Sequence, residues 1–324
     1  MKTIDMHCDS IMYVKLNKEP ALRNYDGAMV DFEKLKRGGV LGQFFAIFSS
    51  AKDVYLPRKG ASKLLLDRFR WIYQAFEREM AANSDIIAQA RSVSEILEND
   101  KKGLVSAILT MEDGAAVEND IENLKEFYDC GVRVYGFIWN FENVLAYPNS
   151  TDPEIMNKPL KPFGIEVLGR LNELGIAADV SHLNDGGFWD VVKYSKKPFF
   201  ATHSNARALC PVERNLTDEQ LRALGSTGSV AGLNYCSLFL HDRKDGLTTV
   251  DDIVRHAKYM VNLAGEDSVG LGSDYDGITN ALSFGDVSGV QAIAEGLSKV
   301  FTPSQVEKIC YKNVLRVLAE NEKK

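Results

Sequence analysis

Short apolar runs alternate with longer stretches of helical periodicity along most of the chain. The runs are Thr3–Cys8, Leu41–Phe48, Leu104–Thr110, Val132–Trp139, Ala177–Ser181, Phe199–Thr202, Ser229–Tyr235 and Ser268–Gly272. Most are continuously apolar and rich in Val, Ile and Phe. Parallel strands covered on both faces have this pattern. Between the runs, Ser62–Leu97 has room for two helices, and Asn119–Cys130 puts Ile121, Leu124, Phe127 and Tyr128 on one face. Phe163–Leu174, Thr217–Leu224, Thr249–Leu263 and Pro303–Leu318 complete the helical set. Thr217 with Gln220 three residues on is a capping box, and Gly131 and Gly175 stand where helices should stop. Eight strand–helix alternations predict an α/β fold, a (β/α)8 barrel in preference to an open doubly wound sheet, with residues 1–324 as one domain.

Composition adds exclusions. The chain has 324 residues, 45% of them hydrophobic and 26% charged, which is globular rather than disordered. Lys and Arg number 38 against 45 Asp and Glu, a formal charge of −7 with no basic block, so no nucleic-acid partner is expected. The N-terminus has no apolar segment of a targeting signal, and no long uncharged apolar window predicts a membrane span. The five cysteines are odd in number and form no CxxC pair, which reads as reduced thiols in a cytoplasmic protein. The connections Asn140–Lys161 and Cys236–Thr248 are longer than a simple turn needs, and long loops at one end of a barrel carry function.

The positions of the polar residues change the picture most. His7 and Asp9, Glu112 and Asp113, His182, His203, and Asp274 and Asp276 each follow an apolar run. In a barrel all these strand ends meet around one mouth. His7 and Asp9, two apart on a strand, point the same way and can serve one metal, although HxD alone is a common solvated pair. Glu112 can bridge two cations or merely cap a loop, and Asp113 competes for either role. Three of the five histidines stand at strand ends. The other two are read as bland, His241 as solvated and His256 as a helix-surface residue. Together, three imidazoles and two carboxylates point to a metal site. Asp274 can shuttle a proton, and Asp276-Gly277 reads as a plain turn. Arg207 and Arg214 are open alternatives, each either a binder of a substrate carboxylate or a surface ion pair.

The motifs Asp5-Met-His-Cys-Asp9, Met111-Glu-Asp-Gly114, Asp179-Val-Ser-His182, Thr202-His-Ser-Asn-Ala-Arg207, Arg214-Asn215 and Gly272-Ser-Asp-Tyr-Asp-Gly277 carry a resemblance. In order and spacing the chain resembles the membrane dipeptidase (renal dipeptidase) family of zinc dipeptidases, peptidase family M19, and its soluble bacterial members most. The resemblance implies a metal-dependent (β/α)8 barrel hydrolase with two zinc ions. His7 and Asp9 would hold one ion, His182 and His203 the other, and Glu112 would bridge. Arg214 matches the family's arginine for the dipeptide carboxylate, and Asp274 its proton carrier. Where many members carry a substrate-contacting histidine, this chain has Trp139 followed by Asn140. Indole can donate a hydrogen bond but cannot become cationic, so oxyanion stabilisation would fall to the metals and Asn140. The implied substrate is a dipeptide, with opening of β-lactam rings as a side activity. The resemblance also implies a homodimer. Two rival readings remain: an amidohydrolase-type barrel acting on other amides, lactams or lactones, and a metal-binding scaffold with impaired catalysis. HxD and a bridging glutamate, in place of HxH and a modified lysine, count against the first.

Overall fold

A computed structural model describes residues 1–15, 17–49 and 64–323. Its main sheet contains β1 (Thr3–Asp5), β2 (Val40–Phe48), β3 (Ile87–Gln89), β4 (Val105–Glu112), β5 (Val132–Gly136), β6 (Ala177–Asp179), β7 (Phe200–Ala201), β8 (Val230–Leu233) and β10 (Val269–Leu271). A separate two-stranded sheet pairs β9 (Leu247–Thr248) with β11 (Ala281–Leu282). In the main sheet every pairing is parallel, and β2 pairs with both β1 and β4. The ring therefore closes through β1, β2, β4, β5, β6, β7, β8 and β10, an eight-stranded α/β barrel. β2 covers one edge of β4 from Ser106 to Glu112, while the other edge is shared, β3 taking Val105–Ala107 and β5 Leu109–Met111.

All eight runs expected to be strands form the ring. Several end earlier than expected, as β1 does at Asp5 and β5 at Gly136. Their last residues leave the ladder to turn side chains into the mouth. β3 was not anticipated. It interrupts the stretch expected to hold two helices, which are Leu65–Ala82 and Val93–Lys101; Ser62, the expected start of that stretch, lies outside the described residues. Phe32–Arg37, Asp185–Tyr194 and Gln291–Ser298 are further helices the periodicity did not isolate. The capping box at Thr217 and Gln220 is formed, and Gly131 and Gly175 end their helices in the left-handed region at φ 98° and 79°.

Two apolar clusters hold the fold. One lies between strands and surrounding helices. The other gathers Ile4, Phe44, Ile108, Val134, Ala177, Phe200 and Val230, one from each of seven ring strands, so it fills the barrel. Val314, Val317 and Leu318 of the last helix join it. Asn313 donates to the carbonyls of Glu266 and Val269, the start of β10, so that helix covers the N-terminal end. The opposite, C-terminal end is where the polar residues gather. Among the described residues, no helix is long and apolar enough to cross a membrane.

Candidate metal centre

β1, β4, β6, β7 and β10 each deliver a side chain to the C-terminal mouth. The end of β1 is pinned to the end of β10 by a bridge between Cys8 and Tyr275, with Asp9 N–H donating to the Tyr275 carbonyl at 2.9 Å. His7, Asp9 and Asp274 become neighbours as a result. His7 Nε2 lies 3.6 Å from Asp9 Oδ2, 3.6 Å from Glu112 Oε2 and 3.9 Å from Asp274 Oδ1. The other oxygen of Glu112, Oε1, lies 3.2 Å from His182 Nε2 and 3.9 Å from His203 Nε2. The two histidine nitrogens are 3.0 Å apart. Glu112 thus turns one oxygen to each group.

Among the described residues, donor atoms within 4.8 Å of one another form three trios: His7, Asp9 and Glu112; Glu112, His182 and His203; His7, His203 and Asp274. Two ligands of one tetrahedral zinc ion, at bonds of about 2.0–2.2 Å, stand roughly 3.3 Å apart. The observed separations are of that size.

The hydrogen bonds around the histidines fix their tautomers. His182 Nδ1 donates to Asn140 Oδ1 at 3.0 Å. His203 Nδ1 stands 2.7 Å from Thr202 Oγ1, whose own proton goes to Asp179 Oδ2 at 2.6 Å. His203 is therefore the donor in the first bond. Both Nε2 atoms are left with free lone pairs, as metal ligands require. His7 Nε2 is buried and has no hydrogen-bond partner among the described residues.

Protonation follows from this crowding. Burial, then the charge of Asp9, pushes Glu112 up to about 8. Burial lifts Asp274 to about 6, with Asp9 contributing. Burial alone would lower His7, but Glu112 and Asp9 outweigh it and hold it well above the usual imidazole range. Burial drives His182 and His203 well below that range, helped by Arg214 and His7. The acidic groups draw protons to offset their charge. A divalent cation would do the same and would match the neutral histidines. The donor set and the orphaned His7 Nε2 therefore fit a metal.

A cleft of about 380 Å³ opens above these residues, with Met12, Phe48, Trp139, Phe239 and Ile278 in its apolar wall. That is at the low end of small-molecule sites. Arg214 stands beside the cluster, 8% exposed. Its Nη1 donates to Ser204 Oγ at 2.8 Å, while Nε and Nη2 have no partner among the described residues. A buried guanidinium with two donors unused calls for an anion.

A family model of the membrane dipeptidases, peptidase family M19, matches residues 1–324. The chain belongs to that family. As an M19 member it is a metal-dependent dipeptidase. A Klebsiella pneumoniae protein encoded in the pqqA 5' region is 38% identical over 66% of this chain and 82% of its own. A metallopeptidase from Rhodobacter sphaeroides, solved with a phosphinate mimic of the dipeptide L-Ala-D-Ala, superposes with a TM-score of 0.89 at 25% identity over 99% of each chain. The M19 metallopeptidase dipeptidase AC superposes at 0.87 with 28% identity, over 99% of this chain and 98% of its own.

In this M19 chain the remaining expectations divide. Arg207 is committed elsewhere, forming a two-pronged pair with Asp185 and binding the carbonyls of Glu213 and Asn215 on either side of Arg214. Asp113 is buried and caps Ala115 N–H. Two histidine readings are corrected. His256 is 0% exposed, accepting from Ala206 N–H and donating to the Leu240 carbonyl. His241 is 5% exposed and donates to the Leu247 carbonyl. Asp276 is more than a turn residue, since it accepts from Ser10 Oγ and from the N–H groups of Met29 and Val30. The sequence reading missed Asp179, Thr202 and Asn234 as partners of site residues. For Asp179 and Thr202 the signal was present, because both lie inside the quoted motifs.

Proposed function

We propose that the cluster holds two divalent ions, zinc by preference, and cleaves dipeptides that the cleft admits. His7 and Asp9 would hold one ion, His182 and His203 the other, and Glu112 would bridge them as a ligand with a catalytic role. The observation that carries this reading is Glu112, whose two oxygens face two different histidine groups. Bound ions would acidify a water molecule and polarise the scissile carbonyl.

The chain's own residues supply the rest. Arg214 takes the C-terminal carboxylate of the substrate through its unused Nε and Nη2 donors. Selection of a free carboxylate favours dipeptides over internal bonds. Asp274 receives the proton of the attacking water and returns it to the leaving amine. Trp139 sits against Phe48, ring centroids 4.9 Å apart, and supplies an apolar wall and an indole N–H to the substrate. Asn140 contacts the substrate with its amide nitrogen while its Oδ1 steadies His182. Residues 1–324 acting as one domain, a homodimer and a cytoplasmic location belong to the same reading; the last two rest on the resemblance and on cysteine usage.

Metal analysis of the purified protein and a dipeptide panel with and without chelator test it. The expected result is about two divalent ions per chain and cleavage that chelator abolishes and added zinc restores. Absence of chelator-sensitive cleavage across the panel would overturn it and leave the scaffold reading and that of a hydrolase of other amides, lactams or lactones.

A further inference from the structure

Asn234, just past β8, is fully buried and faces Asp274. Its side chain is fixed at both ends. Oδ1 accepts from Cys236 N–H at 2.7 Å, so the amide cannot turn over without losing that bond. Nδ2 must then point the other way, and it donates to Asp274 Oδ2 at 3.0 Å and to the His203 carbonyl at 3.2 Å. The backbone of Asn234 is held in turn by Asn205. Asn234 N–H donates to Asn205 Oδ1 at 3.0 Å, and Asn205 Nδ2 returns a bond to the Asn234 carbonyl at 2.9 Å. Asn205 N–H reaches Asn215 Oδ1 at 3.3 Å, directly after Arg214.

Asp274 has two chemical options. Its donor atom clusters with those of His7 and His203, so it can enter a cation's ligand set. Alternatively it stays outside and carries a proton. Full ligation would withdraw the lone pairs a proton carrier needs. The backbone at Asp274 is left-handed, φ 65°, a conformation that is strained for a non-glycine residue and is kept by surrounding contacts. Asn234 occupies Oδ2, leaving only Oδ1 toward the cluster.

We propose that Asn234 is a positioning residue: its hydrogen bond to Asp274 Oδ2 anchors that carboxylate and aims the remaining oxygen, Oδ1, at the cluster, where it serves as the proton carrier. The proposal rests on the role given to Asp274 above.

Asn234→Ser tests it. A serine hydroxyl can still accept from the N–H two residues on, preserving the turn, but is too short to reach Asp274 as well. The expected result is a fall in kcat of roughly tenfold or more, the scale of a hydrogen bond to a charged group. KM for the dipeptide stays within about twofold, and zinc affinity, read by competition with a chromogenic chelator, is unchanged. In an Asp274→Asn background, adding Asn234→Ser leaves kcat within about twofold, because the base that it positions is gone. Unchanged kcat in the single variant, an equal further loss in the double variant, or zinc binding loosened about tenfold would each overturn the proposal. If Asp274→Asn alone is fully active, the proton-carrier role itself fails, and the proposal fails with it for that separate reason. Should the serine variant not fold by circular dichroism, Asn234→Thr offers the same hydroxyl with a strand-compatible side chain.

Discussion

At Gly277 the site leaves no room for even one more carbon. A Cβ there would collide with Asp9 Oδ2 and Asp274 Oδ1. Gly277→Ala should therefore weaken zinc binding by about tenfold or more, as displaced ligands do; chelator competition measures it. Asp274→Asn keeps the shape and the hydrogen bonds but removes the base. Its metal content should be normal and its kcat down roughly 10²–10⁴-fold, and a fully active variant would remove Asp274 from the proton path. Arg214→Ala should lower kcat/KM by about 10²-fold or more for free dipeptides and much less for C-terminally amidated ones, since a carboxylate loses its buried partner. Comparing the two substrate series separates carboxylate binding from a general loss of structure. The ligand candidates were legible as single residues because each stands at the end of an apolar run. The choice between Arg207 and Arg214 was not legible from the residues alone, since both are cations after β7. It turned on Asp185, which reaches Arg207 and leaves Arg214 with unused donors.

The helix Val250–Ala264 shows where element-level reading fell short. His256 lies on the same face as Ile253 and Met260, three residues from one and four from the other, so its burial was written in the spacing. The polarity of histidine outweighed that signal. Burial lowers its pKa to about 4. Between pH 6.5 and 4 the unfolded chain then takes up the proton first, so this group's contribution to stability is present above pH 6.5 and lost on acidification, about 1.4 kcal/mol per pH unit and roughly 3 kcal/mol in all. Urea unfolding of metal-free protein should show a shallower pH dependence over that window for His256→Gln than for the parent. Identical slopes would mean His256 does not titrate in this way. The eight barrel strands were legible because both faces are buried and the runs are continuously apolar. β3, β9 and β11, two or three residues each, carry too few positions to show a period.

For the molecule as a whole, the mouth is a store of negative charge that a cation must balance. Without metal, Glu112 titrates at about 8 rather than in the usual carboxylate range. The folded state then holds a proton the unfolded chain has already released, so the metal-free protein loses stability as pH rises toward 8. His7, also held up, acts in the same direction, while His182 and His203 oppose it only near pH 6.5, where the unfolded chain still holds part of their protons, and are neutral in both states above about pH 7.5. Calorimetry should find the melting temperature of chelator-treated protein falling by a few degrees between pH 6.5 and 8, with zinc-loaded protein nearly flat. A chelated sample whose melting temperature is steady or rises over that range would contradict this charge balance. The sequence by itself determined the barrel, because the alternation of apolar runs and helical faces admits few other ways to bury both sides of each strand. It also determined the chemical types at the strand ends. Only the tertiary structure decided which oxygen of Glu112 faces which histidine, which arginine keeps free donors and which amide holds Asp274. Those outcomes depend on distances between residues far apart in the chain, and no local pattern encodes a distance across the barrel mouth.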